Sequence, residues 1–344
     1  MFILSNYGTA VLFCFITMLC WGSWANTQKL SKQSAPFQIF YWDYALGVFA
    51  LMCLAAFTLG SHGELGRPFL VDLAQASPTY IGLALFAGVI FNLANLLLVA
   101  VIDLAGMAVA FPITVGIALV LGVVVNYIAA PIGNAFLLAI GVFLIVAAIL
   151  ISAALYRKMQ QHKAHNSKEK SPSQTKVLVI SITSGVLMGS FYRFIIASLG
   201  TPHGLSFEHP EPTFLTPYTA MLFFSVGLLL SNFIFNTWMM KHPFTGSPIP
   251  AKTYWKQSLG FHGTGVLGGM IWGIGGLLNI LASSKAGFAI SYGLGQGATM
   301  IAALWGVFIW KEFAHAPAGT SKRLTLMFLC YIAGLITIIV ARVV

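Results

Sequence analysis

The chain has 344 residues, of which 58% are hydrophobic and only 8% are charged. Soluble domains carry about 25% charged residues, so this composition excludes a cytosolic enzyme, a nucleic-acid-binding protein and a secreted disulfide scaffold. The net charge of +10 is typical of basic loops on one side of a bilayer. The cysteines lie in apolar runs without C-x-x-C spacing, which favours buried apolar side chains over metal ligands. We therefore predict a polytopic membrane protein.

Ten apolar runs are long enough to cross a hydrocarbon core about 30 Å thick, which requires about 20 residues per helix. In chain order they are 8–26, 36–59, 79–101, 105–128, 133–156, 176–197, 215–236, 259–282, 286–309 and 322–342. The first run has no basic residue before it and no cleavage site after a short apolar core. We interpret it as a retained helix and not as a signal peptide.

The basic residues predict the orientation of these helices. Alternate loops place most of them on one side: Lys29, Lys32, Arg157, Lys158, Lys163, Lys168, Lys170, Lys176, Lys241, Lys252, Lys256, Lys311, Lys322 and Arg323. The other side holds Arg67, Lys285 and Arg342. Because cytoplasmic loops carry the excess of lysine and arginine, both termini are predicted to lie outside the cytoplasm, most simply across a bacterial inner membrane. The segment 157–175 is then a cytoplasmic linker, with an anionic-lipid-binding patch as the alternative.

The two halves of the chain resemble each other. Residues 88–125 align without a gap on 269–306, and Gly88 and Gly116 match Gly269 and Gly297. Each half has five helices, an odd number, so the second copy must be inverted. The predicted fold is all-α, with ten transmembrane helices as two inverted five-helix repeats, 1–156 and 176–344. Such repeats are common in secondary transporters and place the substrate site between the halves. A receptor or a membrane enzyme would explain the helices but not the repeat.

Several short motifs resemble a known family. They are Tyr41-Trp42-Asp43-Tyr44 and 56–60 in the second run, 215–220 in the seventh, and Trp310-Lys311-Glu312-Phe313 after the ninth. The chain resembles the ureide permease and glucose/ribose porter branch of the drug/metabolite transporter superfamily. The resemblance implies import of a small polar solute, a ureide or a sugar, driven by a proton gradient. The linker contains no G-x-x-x-x-G-K-[ST] motif, so a nucleotide role is unsupported.

Ionisable side chains inside a membrane are functional candidates because burying a charge costs about 2.5 kcal/mol or more. Asp43, between Tyr41 and Tyr44, is our candidate for proton coupling, and both tyrosines are candidate substrate contacts. The alternative for Asp43 is a structural acid that holds Lys29 or Lys32. Arg193 needs a counter-charge. It is a substrate clamp, a partner of Asp43 or a residue that reaches the outer interface.

Amides and aromatic rings supply the remaining candidates for solute binding. Amides both donate and accept hydrogen bonds, and indole rings offer a surface for a flat or sugar ring. We predict a shared central cavity lined by Asn92, Asn95, Trp272, Asn279, Tyr292 and Gln296, with Trp21 and Trp24 as stacking walls. The alternative for the amides is hydrogen bonding between helices, and for the tryptophans core packing.

The other polar residues point to no further chemistry. His262 can shuttle protons or simply hold a hydrogen bond, while Asp103 and Lys285 are predicted to be solvated turn residues. No spacing indicates a metal ligand set, a catalytic triad or a cofactor, so we do not expect an enzyme. The expected partners are a small polar solute, a proton and the lipid bilayer. The alternative functions are an exporter of amino acids, drugs or metabolites, and a membrane sensor without transport.

Overall fold

A computed structural model of the chain describes residues 1–30, 35–105, 110–163, 173–200, 206–311, 313 and 319–344. Its helices are α1 (Tyr7–Ser23), continued by a 3₁₀ stretch over Trp24–Leu30, α2 (Phe37–Phe57), α3 (Phe69–Gln75), α4 (Pro78–Ala105), α5 (Gly116–Ala129), α6 (Ala135–Lys163), α7 (Gln174–Leu199), α8 (Pro217–Lys241), α9 (Lys252–Trp255), α10 (Leu259–Ala286), α11 (Phe288–Gly295), α12 (Ala298–Leu304) and α13 (Thr320–Val340). Among the described residues there is no β-strand, which confirms the all-α prediction.

Nine helical stretches of the described chain are long and apolar enough to cross a membrane. The α11–α12 pair counts as one of them, over Phe288–Ile309. The remaining predicted span, around α5, is represented by a shorter apolar helix over Ile113–Ala129. The predicted linker is helical as far as Lys163, and its 164–172 part lies outside the described residues. So do Lys32, Lys168, Lys170 and Glu312 of the sequence predictions.

Two short helices, α3 and α9, were not predicted from the sequence. Helix α3 follows α2 at one end of the bundle, and α9 follows α8 at the other. We name the end with Lys29, Lys241, Lys252 and Lys256 the basic end, and the other the opposite end. Contacts between remote segments define the basic end, for example Trp310 Nε1, which donates to Asn26 Oδ1 at 2.7 Å.

Two long helices, α4 and α10, are central to the packing. Helix α4 contacts α7 and α8, while α10 contacts α1 and α2. Where these helices cross, four glycines lie directly against a backbone carbonyl of the partner helix: Gly47 on Val266, Gly227 on Leu85, Gly88 on Phe224 and Gly269 on Tyr44. Any β-carbon at these positions would clash, so glycine permits the close backbone approach. The crossing of α2 with α10 thus has the same contacts as that of α8 with α4.

Candidate functional site

A cavity of about 840 Å³ extends from the middle of the bundle to the basic end. Its walls come from the end of α1, the start of α2, the second half of α4, the end of α6, and α12 and α13. The connection between α8 and α9 contributes Pro243 to Ile249 on the side of the basic end. A pocket of this size is large enough for a small organic solute.

The middle of the cavity combines indole rings with an amide. Trp21, Trp24 and Asn95 line it, as the sequence analysis proposed. Asn95 Nδ2 donates to the hydroxyl of Tyr41 at 3.1 Å, and no described residue donates to its Oδ1. Because an amide oxygen accepts hydrogen bonds, Asn95 is left able to receive an N–H group of a solute.

Aromatic rings close the cavity on its inner side. Trp24 packs on Tyr44 with ring centroids 4.5 Å apart, and Tyr44 also stacks on Tyr41 at 5.0 Å. Trp272 lies behind them, stacked on Trp21 at 5.9 Å and packed on Phe91 at 4.5 Å. The hydroxyl of Tyr44 is buried and has no hydrogen-bond partner within the described structure. Tyr41 and Tyr44, which were predicted to contact the solute, do not line the cavity. They belong instead to this aromatic floor, which lies between the cavity and the opposite end.

The helix that runs along the cavity is interrupted. The sequence predicted one continuous run over 286–309, but α11 ends at Gly295 and α12 begins at Ala298. The glycines at 295 and 297 are the physical reason, since they weaken a helix. Ala298 and Thr299, at the start of α12, line the cavity. Discontinuous helices of this kind accompany substrate sites in transporters because they expose backbone groups.

The opposite end is closed by a buried ion pair. Asp72 of α3 is fully buried and its Oδ1 accepts from Arg67 Nε at 2.7 Å. Its Oδ2 accepts from the backbone N–H of Thr216 at 2.8 Å, at the start of α8. Arg67 also donates to the Phe214 carbonyl at 2.8 Å. This cluster ties the connection after α2 to the connection before α8.

A second contact at the opposite end is exposed. Lys285 Nζ lies 3.0 Å from Glu208 Oε1, and both side chains are about one third exposed. The Lys285 ammonium lowers the pKa of Glu208 below its ordinary value. Lys285 was predicted to be a solvated turn residue, but it forms an exposed ion pair.

Asp43 forms a compact polar cluster at the basic end. Its Oδ2 lies 2.7 Å from His262 Nδ1 on α10, and its Oδ1 accepts from the Tyr254 hydroxyl at 2.6 Å. The carboxylate is 2% exposed while His262 is 19% exposed. Burial and the Asp43 carboxylate raise the pKa of Tyr254 above its ordinary value, so its hydroxyl stays protonated and donates. Asp43 is absent from the cavity wall.

Three other candidate side chains hold helices together and do not line the described cavity. Asn92 Nδ2 donates to Ser231 Oγ at 2.8 Å, and Asn279 Nδ2 donates to the Ser291 carbonyl at 2.8 Å. The Tyr292 hydroxyl lies 3.1 Å from the carbonyl oxygens of both Ala118 and Met188 and shares its one hydrogen between these acceptors. The prediction that Asn92, Asn279 and Tyr292 line a common cavity must therefore be corrected, because the amide or hydroxyl of each faces a neighbouring helix.

Trp272, Gln296 and Arg193 also lie outside the cavity wall. Trp272 is 5% exposed and belongs to the aromatic floor, and Gln296 lies at the break between α11 and α12. Arg193 is half-buried and has no hydrogen bond or ion pair within the described structure. It therefore does not pair with Asp43.

The sequence analysis missed the Arg67–Asp72 pair and Tyr254. All three lie in the connections between spans, where a charged or polar residue is ordinarily solvated. The sequence did offer one indication of the ion pair: two oppositely charged residues, Arg67 and Asp72, lie five positions apart, and Pro68 follows Arg67 directly. Within the part of the chain that the structure describes, no three His, Cys, Asp or Glu side chains form a metal-binding group.

Comparison with known proteins gives full-length matches. A family model described as ureide permease matches residues 40–178 and 167–342. Ureide permease 1 of Arabidopsis thaliana is 22% identical over 382 residues, which cover 97% of each chain. Probable ureide permease A3 of Vigna unguiculata is 24% identical over 376 residues, which cover 92% of this chain and 99% of the relative. A solved crystal structure, 16% identical, has a TM-score of 0.60 and covers 98% of this chain and 99% of its own.

Proposed function

Because the chain belongs to the ureide permease family, we propose that it is a secondary transporter that imports a small polar ureide with a proton. The observation that carries the proposal is the cavity: it is reached from the basic end and closed at the other by the aromatic floor and the Asp72 cluster. A permeation path with one closed end is what alternating access requires. The wider assignment to the drug/metabolite transporter superfamily is part of this proposal.

The cavity chemistry supports a ureide over a sugar. A ureide is flat and presents N–H donors beside carbonyl acceptors. Trp21 and Trp24 offer ring faces for stacking, and Asn95 offers a free acceptor oxygen. The wall also carries the Asp103 carboxylate and several hydroxyl groups, so the preference for a ureide rests on the two ring faces and the free amide oxygen. Uptake of a radiolabelled panel of ureides and sugars, with and without a pH gradient, tests this choice. Concentrative uptake of a sugar but of no ureide would contradict it.

We propose that the two halves are inverted repeats, with the basic end in the cytoplasm. The reciprocal glycine crossings support the first part, because α2 and α10 meet as α8 and α4 do. The helix neighbours agree: α1 contacts α10 and α12, as α7 contacts α4 and α5. The excess of lysine and arginine in the loops at the basic end supports the orientation, because cytoplasmic loops carry such an excess. Tags at residues 1 and 344 should be reachable from outside intact cells. Antibody labelling of an epitope at 160–172 from outside would contradict it.

Coupling to protons is assigned to Asp43 together with His262. Both residues lie where α2 crosses α10, and the Cβ of Asp43 lies against Gly265. Protonation of the pair removes or adds a charge at a helix crossing, which biases one arrangement of the two helices over the other. The solute cavity is separate, so solute and proton act on the same helices without direct contact.

Asp43→Asn tests this assignment. We expect concentrative, pH-dependent uptake to be lost while exchange of labelled for unlabelled solute continues, because the cavity wall is unchanged. Tyr254→Phe is the matched control, since it removes one hydrogen bond to Asp43 but no group that changes its charge, because the Tyr254 hydroxyl stays protonated, and it should retain pH-dependent uptake. If Asp43→Asn still concentrates solute in a pH-dependent way, the proton site lies elsewhere.

A further inference from the structure

The close glycine contacts relate the two halves residue by residue. Gly22 on α1 contacts the Ala298 carbonyl and the Ile301 side chain, while Gly189 on α7 contacts the Ala118 carbonyl and the Leu121 side chain. The spacing of the contacted residues is the same in both cases. Together with the four glycine contacts at the two crossings described above, these contacts place α1 on α7, α2 on α8, α4 on α10 and α12 on α5 in a defined register, and the register of α12 on α5 is shifted by one residue from the ungapped sequence alignment.

In this register, the residues that line the open cavity at the basic end correspond to residues near the opposite end. Cavity residues from the 3₁₀ stretch after α1, from α4 and from the π-helical stretch Trp305–Ile309 after α12 correspond to polar residues in the other half: Ala25 to Tyr192, Asn26 to Arg193, Leu98 to Asn279, Ile102 to Ser283 and Gly306 to Asn126. In the present state Tyr192, Asn126, Asn279 and Ser283 are buried, while Arg193 is half-buried. The residues that correspond to the wall of the open cavity are therefore closed off from solvent in this state, and they are more polar than the cavity residues themselves.

The closed region contains polar atoms without partners. Asn126 Oδ1 and Asn279 Oδ1 are fully buried and accept no hydrogen bond within the described structure, as is also true of the amide oxygens of Asn92, Asn232 and Asn236 elsewhere in the bundle. Nearby, the Tyr192 hydroxyl lies 3.0 Å from Ser291 Oγ, and Arg193 is a cation without an ion pair. Buried polar atoms are ordinarily hydrogen-bonded, and each exception needs an explanation. Exposure of the same atoms to water or to solute in another state supplies one.

We infer that these residues line an outward-facing solute vestibule, with Arg193, Asn126 and Asn279 as its polar contacts. The inference rests on the proposed transport function. Arg193 offers only donors and a fixed positive charge, while the free asparagine oxygens accept. The vestibule therefore suits a neutral or anionic solute that carries both carbonyl and N–H groups, and it disfavours cations. The inner cavity has neutral Asn26 at the position of Arg193, and its wall carries one residue of each charge, Lys29 and Asp103, so the excess positive charge belongs to the outer side.

A matched pair of single-cysteine variants tests the vestibule. In a background with Cys14, Cys20, Cys53 and Cys330 replaced by serine or alanine, Ser283→Cys and Ile102→Cys occupy equivalent positions. A membrane-impermeant methanethiosulfonate is added to intact cells and to inside-out vesicles. We expect Ser283→Cys to react from outside and Ile102→Cys to react from the cytoplasmic side. Adding Asp72→Asn should raise the labelling rate of Ser283→Cys at least tenfold and lower that of Ile102→Cys.

A transport measurement separates this inference from the function on which it rests. Arg193→Gln should raise the half-saturating concentration for uptake into cells several-fold and leave that for uptake into inside-out vesicles unchanged. Protection of Ser283→Cys from outside in a variant that still transports, or equal effects of Arg193→Gln on the two faces, would overturn the vestibule. If the panel contains no transported solute, the proposed function fails, while the reactivity of Ser283→Cys still decides whether an outward opening exists.

Discussion

Asp72→Asn is expected to open the opposite end of the molecule. The substitution keeps the shape of the side chain but removes the charge that pairs with Arg67 and weakens the two hydrogen bonds from Thr216. Breaking a buried ion pair from one side costs about 3 to 5 kcal/mol. Arg67 is 15% exposed and keeps its hydrogen bond to the Phe214 carbonyl, so we take the lower end, about 3 kcal/mol.

If the network exists only when the opposite end is closed, this loss changes the population of the open state. A difference of about 3 kcal/mol corresponds to about a 100-fold shift in a two-state equilibrium. The rate at which an impermeant reagent modifies Ser283→Cys from outside should rise by a similar factor. Glu208→Gln is the matched control, because it breaks an exposed ion pair that solvent screens, and it should change the rate far less than Asp72→Asn does.

Two results would refute this reasoning. Equal changes in labelling for Asp72→Asn and Glu208→Gln would mean that burial of the ion pair is irrelevant to the closed state. A fall in thermal stability of Asp72→Asn with no change in labelling would mean that the network supports the fold in both states and does not govern the opening.

Three further predictions follow from individual contacts. Gly269→Ala should destabilise the detergent-solubilised protein by about 1 to 3 kcal/mol, because the new Cβ would clash with the Tyr44 carbonyl. Gly263→Ala is the control, since the space around its Cβ is open, and it should not lower the melting temperature. Equal melting temperatures of the two variants would contradict the close approach of α2 and α10. Asn95→Leu should raise the half-saturating concentration for uptake about tenfold, as expected when about 1.5 kcal/mol of hydrogen bonding is lost. Because the pKa of Glu208 is lowered by Lys285, their ion pair is present above the ordinary carboxyl range and is lost only as the pH falls through the lowered pKa. The effect of Glu208→Gln on outside labelling should therefore be the same at pH 8 and pH 5, and an effect that disappears at pH 5 would contradict this.

The sequence predicted the helical segments well because a membrane span has a length requirement. A run of about 20 apolar residues leaves few alternatives, and most predicted boundaries lie within a few residues of the observed ones. The break between α11 and α12 was not predicted, although Gly295 and Gly297 are visible in the sequence. Small residues are frequent in membrane helices as packing positions, so glycine alone does not distinguish a break from a close helix contact.

The faces of the helices could not be predicted from hydrophobicity. Lipid is as apolar as the protein core, so Leu46 at 43% exposure and Val48 at 0% on the same helix have similar side chains. Asn92 and Asn95 are three residues apart and so lie on one face of α4, but that face contacts two neighbouring helices. Asn92 bonds to Ser231 of α8, while Asn95 bonds to Tyr41 of α2 and lines the cavity.

The remaining site residues depend on contacts between distant parts of the chain. Asp72 meets Thr216, and Asp43 meets Tyr254 and His262. The sequence identified Asp43 and His262 separately, because each is an ionisable group close to an apolar run. It contained no information that α2 and α10 cross at these two residues.

The proposed proton pair occurs at only one of two equivalent helix crossings. In the register defined by the glycines, Asp43 on α2 corresponds to Phe223 on α8, and His262 on α10 corresponds to Ile81 on α4. Phe223 and Ile81 are partly buried hydrophobic residues packed against the core. A change in protonation therefore alters the charge at the α2–α10 crossing at the basic end and leaves the α4–α8 crossing at the opposite end unaffected. Without this asymmetry, two equivalent halves would give closed states of similar free energy. Because the proton pair lies at one crossing only, protonation can favour one closed state over the other.

The double variant Phe223→Asp with Ile81→His tests this asymmetry. It places a carboxylate and a histidine at the second crossing, and it should add a second pH-sensitive step and weaken the pH dependence of concentrative uptake. An unchanged pH profile in a folded, transporting double variant would show that the location of the pair does not set the direction of coupling.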